Sequence, residues 1–268
     1  MTESRNEPKS NVEWRHWGEH DPLYGVMSVL GKSRTNKSPW TEDDFYASAT
    51  SEFAVNFRNW ERYGVVRDAV VEIGCGAGRM TRCLQTVFDA VEACDVSEGM
   101  LELVRKNCDP LKVRTHQTSG REIPLPDCSV TAAYSTIVFQ HFDSPEVGYG
   151  YFEEIFRSMK PGGTFMINLP WHQYPNAPIQ FPYRLANSVA RGYETVVNAF
   201  KRALLRMGPT VTRTRIGNRL SELMAATSYD FQATIRRLEA IGFIDIEVAV
   251  YYVPIEGRHH PFFFGRKP

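Results

Sequence analysis

The sequence predicts an α/β fold built on an open, mostly parallel sheet, and three observations predict it. The first is Val70-Val71-Glu72-Ile73-Gly74-Cys75-Gly76-Ala77-Gly78-Arg79-Met80. There an apolar run of strand length meets three glycines spaced G-x-G-x-G and then a helical stretch. The second is the apolar strand pattern from Ala90 to Cys94, which ends on Asp95, 21 residues after Gly74. The third is a helical pattern from Pro145 to Met159, a turn at Lys160-Pro161-Gly162-Gly163 and a strand from Thr164 to Leu169. Strands alternating with helices give a parallel sheet covered on both faces.

The glycine stretch also says what kind of ligand the fold is built to hold. Glycine has no Cβ and tolerates positive φ, so a ligand can approach bare backbone. The unpaired N–H groups of the helix start point at that ligand. A dinucleotide fingerprint counted from Gly74 requires glycine at position 79, where Arg79 stands. A phosphate-binding loop requires G-K-[ST], which is absent. Asp95, at a strand end at this distance, can accept hydrogen bonds from both hydroxyls of a ribose.

Bulk properties narrow the class. The 268 residues fit one large α/β domain or a core with an insertion, and 43% hydrophobic content suffices for a core. Formal net charge is zero, so the whole molecule lacks a nucleic-acid signature. Five cysteines (Cys75, Cys83, Cys94, Cys108 and Cys128) show no CxxC spacing and read as reduced thiols of a cytoplasmic protein. Met1 to Asn11 is polar and does not read as a signal peptide, and no apolar run reaches membrane-spanning length.

Glu72-x-Gly74-x-Gly76-x-Gly78 resembles the first motif of the class I S-adenosylmethionine-dependent methyltransferases, of the small-molecule type. Four further segments carry the likeness. Asp95-Val96-Ser97-Glu98-Gly99-Met100-Leu101 resembles D-x-S-x-x-M-L, and Gln117 to Ser129 resembles the segment that passes through L-P. Met159 to Gly163 resembles L-K-P-G-G, and Ala240-Ile241-Gly242-Phe243 resembles the family's closing A-x-G-F. The resemblance implies S-adenosyl-L-methionine as cofactor and a Rossmann-like, seven-stranded, mostly parallel sheet with helices on both faces. It implies cofactor contacts from Glu72, Gly74, Cys75, Gly76 and Gly78, ribose binding by Asp95, and adenine contacts near Val96 and Met100. Ser119 stands where the family usually has an acid that accepts from adenine, with Gly120 beside it, and Thr131 replaces an aspartate at the start of the fourth strand. Ser135 and Gln140 flank the loop after that strand and are expected near the cofactor. Arg79 either pairs with the cofactor carboxylate or lies at the surface. His141 is the candidate catalytic base, since its ordinary pKa suits proton transfer. No metal is required.

The rest of the chain is read around this core. Trp14, Trp17, Pro22, Leu23 and Tyr24 suggest an ordered, non-helical arm, after a mobile start to about residue 12; it either packs on the core or forms a wall of the active site. Thr41 with Asp44 resembles a capping box opening a helix to about Tyr63, with Trp40, Phe45 and Tyr46 as candidate lid residues. Strands are expected at 69–73, 90–95, 112–116, 130–135, 164–169, 243–252 and 261–266, with His259 and His260 in the loop before the last. About 60 residues interrupt the core after Leu169. Within 179–220 lie eight basic residues (Arg184, Arg191, Lys201, Arg202, Arg206, Arg213, Arg215 and Arg219) against the single acid Glu194. That segment reads as an amphipathic helical lid. Its charge is open to three readings: a solvated face, recognition of an anionic or sugar-linked acceptor, or peripheral contact with an anionic membrane. Nucleic acid is not favoured. The expected layout is an arm and cap helix over 1–63, a core over 64–169 and 228–268, and the insertion over 170–227. Two functions stay open: methyl transfer, O- or N-directed, to a small molecule, or cofactor binding without transfer or with another reaction type.

Overall fold

Valine-rich β1 (Ala69–Ile73) has β-branched residues facing both sides, Val70 toward one helix layer and Val71 toward the other, and both are fully buried. Such a strand belongs inside a parallel sheet covered on two faces. A computed structural model describes residues 8–29, 31–170, 227–253 and 258–268 of the chain. In it β1 pairs in parallel with β2 (Ala90–Asp95) on one side and β4 (Val130–Ser135) on the other. β3 (Val113–Gln117) extends the sheet beyond β2, and β5 (Met159–Asn168) beyond β4. The seven-stranded order is β3-β2-β1-β4-β5-β7-β6. β7 (Arg258–Arg266) runs antiparallel between β5 and β6 (Ile244–Val253). The mostly parallel, seven-stranded α/β fold expected from the sequence is therefore present.

Two apolar layers hold the sheet. On one face α4 (Ala49–Tyr63), α5 (Thr81–Val87) and α6 (Glu98–Asn107) bring Trp60, Leu84, Phe88 and Val104 against Val70, Tyr134, Phe262 and Phe264. On the other, α7 (Pro145–Ser158) and α8 (Phe231–Ile241) bring Phe152, Ile155 and Leu238 against Val71, Phe165 and Phe263. The alternation Phe262, Phe263, Phe264 is the period-two signature of a strand buried on both sides. Trp60 Nε1 donates to Thr164 Oγ1 at 3.0 Å, so its polar edge is satisfied inside this packing.

Local signals end the elements. Gly64 (φ +98°) and Gly242 (φ +114°) close α4 and α8 in the left-handed region. Asp230 caps α8 by accepting from Ala233 N at 2.8 Å. Thr41 caps α3 (Glu42–Ala47) by accepting from Asp44 N at 3.1 Å, as its sequence suggests. The helix expected to run unbroken to Tyr63 is divided at Ser48 into α3 and α4. Thr131, in place of an acid, bridges β4 to the start of β1: its Oγ1 accepts from Ala69 N at 3.1 Å and lies 3.1 Å from the Val66 and Ala69 carbonyls.

Two expectations change. The N-terminal arm is helical, with α1 over Lys9–His20 and α2 over Pro22–Val26. Its periodicity is obscured because α1 is contacted on more than one side and because Gly18 interrupts it. Gly18 is needed there: a Cβ would lie 2.0 Å from Ser97 Oγ, so α1 and α6 meet backbone to backbone. His260 is not in a loop but in β7, where it is buried. Ser97 precedes α6 with no hydrogen bond from its side chain to the helix start, and its N–H donates to the Asp95 carboxylate. The basic insertion lies outside the described residues.

Candidate functional site

The carboxyl ends of β1, β2 and β4 open into one hollow of about 1020 Å³, counted out to its mouth. Its floor is the glycine turn. Gly74 N and Cys75 N both donate to the Cys94 carbonyl (2.8 and 3.0 Å), tying the end of β1 to β2. Gly74 and Gly76 sit at φ +69° and +52°, and a Cβ on either would lie 2.6 Å from a methyl of Val138 or Val26. Neither position accepts a side chain without displacing a wall.

Asp95 stands at the middle of the floor. Its Oδ2 accepts from Gly76 N and its Oδ1 from Ser97 N, both at 2.9 Å. Burial raises its carboxyl above the ordinary range, and these backbone donors act against that. The Val96 N–H also acts on this carboxylate, and of its about four lone-pair sites at least one stays open to a ligand hydroxyl. Glu72 is deeper. Burial pushes it up to about 8, opposed by the Thr81 hydroxyl that donates to Oε2 at 2.6 Å. The carboxyl is therefore mostly protonated at neutral pH.

Arg79 is neither at the surface nor free. It is 4% exposed, and its Nη2 donates to Glu52 Oε2 of α4 at 2.6 Å. The pair is half made: Arg79 Nη1 and Glu52 Oε1 are buried without a partner among the described residues. A buried guanidinium nitrogen left unpaired is costly, and Arg79 lines the hollow. An incoming carboxylate would satisfy it.

The roof comes from α1 and the end of α2, through Asn11, Trp14, Val26 and Met27. The Asp143 carboxylate pins the start of α1, accepting from Lys9 N (2.8 Å) and Ser10 N (3.2 Å). Arg15 Nε reaches the Val96 carbonyl at 3.3 Å. The far wall is the loop after β4. Ile137 takes φ +59°, an unusual state for a β-branched residue, and its N–H donates to Asn168 Oδ1 at 3.3 Å. Thr136 Oγ1 is buried without a partner among the described residues. His141 meets the Trp14 ring edge-on at 4.9 Å. Burial lowers its pKa to about 4, so the imidazole is neutral at physiological pH. Its Nε2 lies 3.1 Å from Gln140 Nε2, an arrangement in which the amide donates and the ring proton sits on Nδ1.

Of the residues singled out in the sequence, Glu72, Gly74, Cys75, Gly76, Arg79, Asp95, Val96, Gly120 and His141 line the hollow together. Gly78, Met100, Ser119, Ser135 and Gln140 do not. Gly78 lies against Val104. Met100 is fully buried beside Phe45, Tyr46 and Ala77. Ser119 turns to Glu122, and Ser135 Oγ donates to the Ile73 carbonyl at 2.8 Å. Gln140 supports His141 rather than the hollow. Trp40, Phe45 and Tyr46 are packing residues: Tyr46 donates to the Ala77 carbonyl at 2.9 Å and braces the glycine turn from behind. Trp14, of the arm that could wall the site, and Phe142, of the loop after β4, also line the hollow. Sequence reasoning missed Asn11, Thr118 and Tyr151. Thr118 adjoins named positions, whereas Asn11 and Tyr151 reach the hollow only through the fold.

This donor set fits an adenosyl amino acid: a carboxylate for a diol, an unpaired arginine nitrogen for a carboxylate, and an uncharged far end for a base. Among the described residues no cluster of three His, Cys, Asp or Glu side chains could hold a metal ion, and no helix is long and apolar enough to cross a membrane.

Comparison with known proteins agrees. Residues 71–167 match the family described as Methyltransferase domain. Demethylmenaquinone methyltransferase of Tropheryma whipplei is 26% identical over 100 residues, which are 37% of this chain and 41% of that protein. Malonyl-acyl-carrier-protein O-methyltransferase of Priestia megaterium is 29% identical over 124 residues, 44% of this chain and 40% of that protein. The chain thus spans about two fifths of the length of these relatives. Phosphoethanolamine N-methyltransferase 2 of Haemonchus contortus was solved with phosphomonomethylethanolamine and S-adenosylhomocysteine. It superposes with a TM-score of 0.52 at 16% identity, over 85% of this chain and 58% of that one. At that identity the likeness establishes the fold.

Proposed function

We propose that this chain, which belongs to the class I S-adenosylmethionine-dependent methyltransferases, transfers a methyl group to a small-molecule acceptor by in-line displacement. The observation that carries the reading is Asp95, a buried carboxylate fixed by the Gly76 and Ser97 amides in a glycine-floored hollow that it lines. When bound, the cofactor supplies a methyl group already activated by a positively charged sulfur. What remains for the protein is to align the nucleophile, exclude water and handle one proton.

The residues divide that work. Asp95 takes the ribose diol. Arg79 Nη1 takes the cofactor carboxylate, with Glu52 holding the guanidinium in place. Glu72 gives up its proton to face the ammonium. His141 stands at the acceptor side under Trp14 and is our candidate for the nucleophile's proton. As arranged, its Nε2 lone pair is engaged by Gln140. Turning that amide over puts Oε1 on Nε2–H and frees Nδ1 as an acceptor. A ring with a pKa of about 4 orients a hydroxyl or amine better than it deprotonates one. We expect His141→Ala to lower turnover far more than cofactor affinity. Equal loss of both would remove it from the chemistry.

The acceptor reading is broader: a small or sugar-containing molecule, methylated on oxygen or nitrogen. The charge of residues 179–220 supports an anionic one. The relatives are named for demethylmenaquinone and for malonyl-acyl-carrier protein, and the Haemonchus contortus enzyme was solved with phosphomonomethylethanolamine, so likeness favours no single acceptor. The decisive experiment is S-adenosylhomocysteine release against sugar, lipid-linked, phosphorylated and aromatic acceptors, with calorimetric binding of S-adenosylmethionine and NAD alongside. Tight S-adenosylmethionine binding without release on any acceptor would favour a binding protein. Preference for NAD would sink the reading.

A further inference from the structure

The hollow has a charged end and an uncharged one, and the strand order sets their positions. With β3, β2 and β1 side by side, Asp95 of β2 lies between them. Glu72 and Arg79 lie toward β1, while Val96, Thr118 and Gly120 lie toward β3. A ligand whose ribose bonds Asp95 meets the first group with its zwitterionic amino-acid end and the second with its neutral base.

At the base end the residue expected to accept from adenine is already engaged. The Ser119 amide donates to Glu122 Oε1 at 2.9 Å, its hydroxyl bonds the other Glu122 oxygen, and the residue does not line the hollow. Thr118 Oγ1 accepts from Gly120 N at 3.2 Å and bonds the Tyr151 hydroxyl. Asn11 differs from both. It is 4% exposed, lines the hollow from α1, and donates through Nδ2 to the Ser119 carbonyl at 2.6 Å. That bond sets the orientation of its amide. Its Oδ1 accepts no bond from any described residue, and it lies so close to Gly120 that a Cβ there would be 2.5 Å away. Asn11 lines the hollow, and an amide oxygen there that no described residue engages can accept from a donor on a ligand.

We infer that Asn11 recognises the 6-amino group of adenine, so that the base is read by the N-terminal helix and not by the loop after β3. The inference rests on the hollow being the donor site. A 6-oxo base carries an acceptor where adenine carries a donor, so Asn11 Oδ1 would oppose it.

The test is calorimetric binding of S-adenosylhomocysteine and S-inosylhomocysteine to the full chain. The unmodified protein should prefer the adenosyl ligand by about tenfold or more. In Asn11→Ala and Asn11→Leu that ratio should fall to within about twofold, because the group that opposes the 6-oxo base is gone. Asp143→Ala loosens α1 without removing the acceptor, so it should weaken both ligands alike and keep the ratio. A ratio unchanged in both Asn11 variants, with tight binding retained by the unmodified protein, overturns this inference alone. An unmodified protein that binds neither ligand overturns the donor-site reading and this inference with it.

Discussion

The floor and the roof of the hollow face the same ligand but are made in different ways. The floor spans Glu72 to Asp95, 24 consecutive positions, and its geometry is backbone geometry: two amides on the Cys94 carbonyl, and two more on the Asp95 carboxylate. The roof is α1, held by contacts with distant parts of the chain: the Asp143 carboxylate at its start, the Ser119 carbonyl on the Asn11 amide and the His141 ring on Trp14. A floor of this kind is rigid and specifies what every ligand of the class shares. A roof of this kind depends on the rest of the fold and can specify what distinguishes one ligand from another. The difference predicts that floor substitutions abolish donor binding while roof substitutions retune it.

The largest effect should come from Asp95→Ala. It removes two hydrogen bonds to a charged acceptor, each contributing about 1.5–3 kcal/mol, so donor affinity should fall on the order of 100-fold or more by calorimetry. Unchanged affinity would break the assignment of the floor.

Next is the pH dependence set by Glu72. Its proton must leave when an ammonium arrives, so donor affinity should rise with pH up to about 8, by at most about tenfold per unit, and Glu72→Gln should flatten the profile. Stability without ligand runs the other way. A carboxyl raised by burial favours the folded state below its ordinary pKa, and that support is lost as pH rises through about 8. His141, lowered to about 4, acts oppositely: its contribution is present above 6.5 and lost as pH falls toward 4. Between pH 6.5 and 8 only Glu72 of the two titrates. The melting temperature should decline there in the native chain and decline less in Glu72→Gln.

The smallest effect should come from Asp143→Ala. It removes the anchor on the first turn of α1, at a cost of about 1 kcal/mol, and donor affinity should drop only a few-fold. Faster amide exchange confined to α1 would accompany it. A loss as large as that of Asp95→Ala would erase the distinction between floor and roof.

The same division explains what could be read from the chain. β1, the glycine turn, β2 and Asp95 were legible because each is set by residues within a few positions of one another. The helix at 9–20 was not, since Gly18 breaks its pattern for the sake of contact with α6. Ser119 was placed correctly along the chain but not in space: Glu122, three residues on, captures it, and sequence cannot rank that local bond against a distant ligand. Arg79 posed the same difficulty, because its partner Glu52 lies on a helix 27 positions earlier. His141 was legible as a neighbour of the hollow. Its lowered basicity was not, because that comes from the surfaces packed over it.

Ile137 deserves a different kind of question, that of what an engineer could change. Its left-handed backbone costs about 1–2 kcal/mol relative to glycine's freedom there, yet its side chain forms part of the wall. Ile137→Gly would relieve that cost, lose about 0.5–1 kcal/mol to the added freedom of the unfolded chain, and enlarge the space beside His141. Most attempts to widen a binding site lower stability. At this position the wall can be moved back with the fold nearly indifferent, which makes it the natural first choice for admitting a bulkier acceptor.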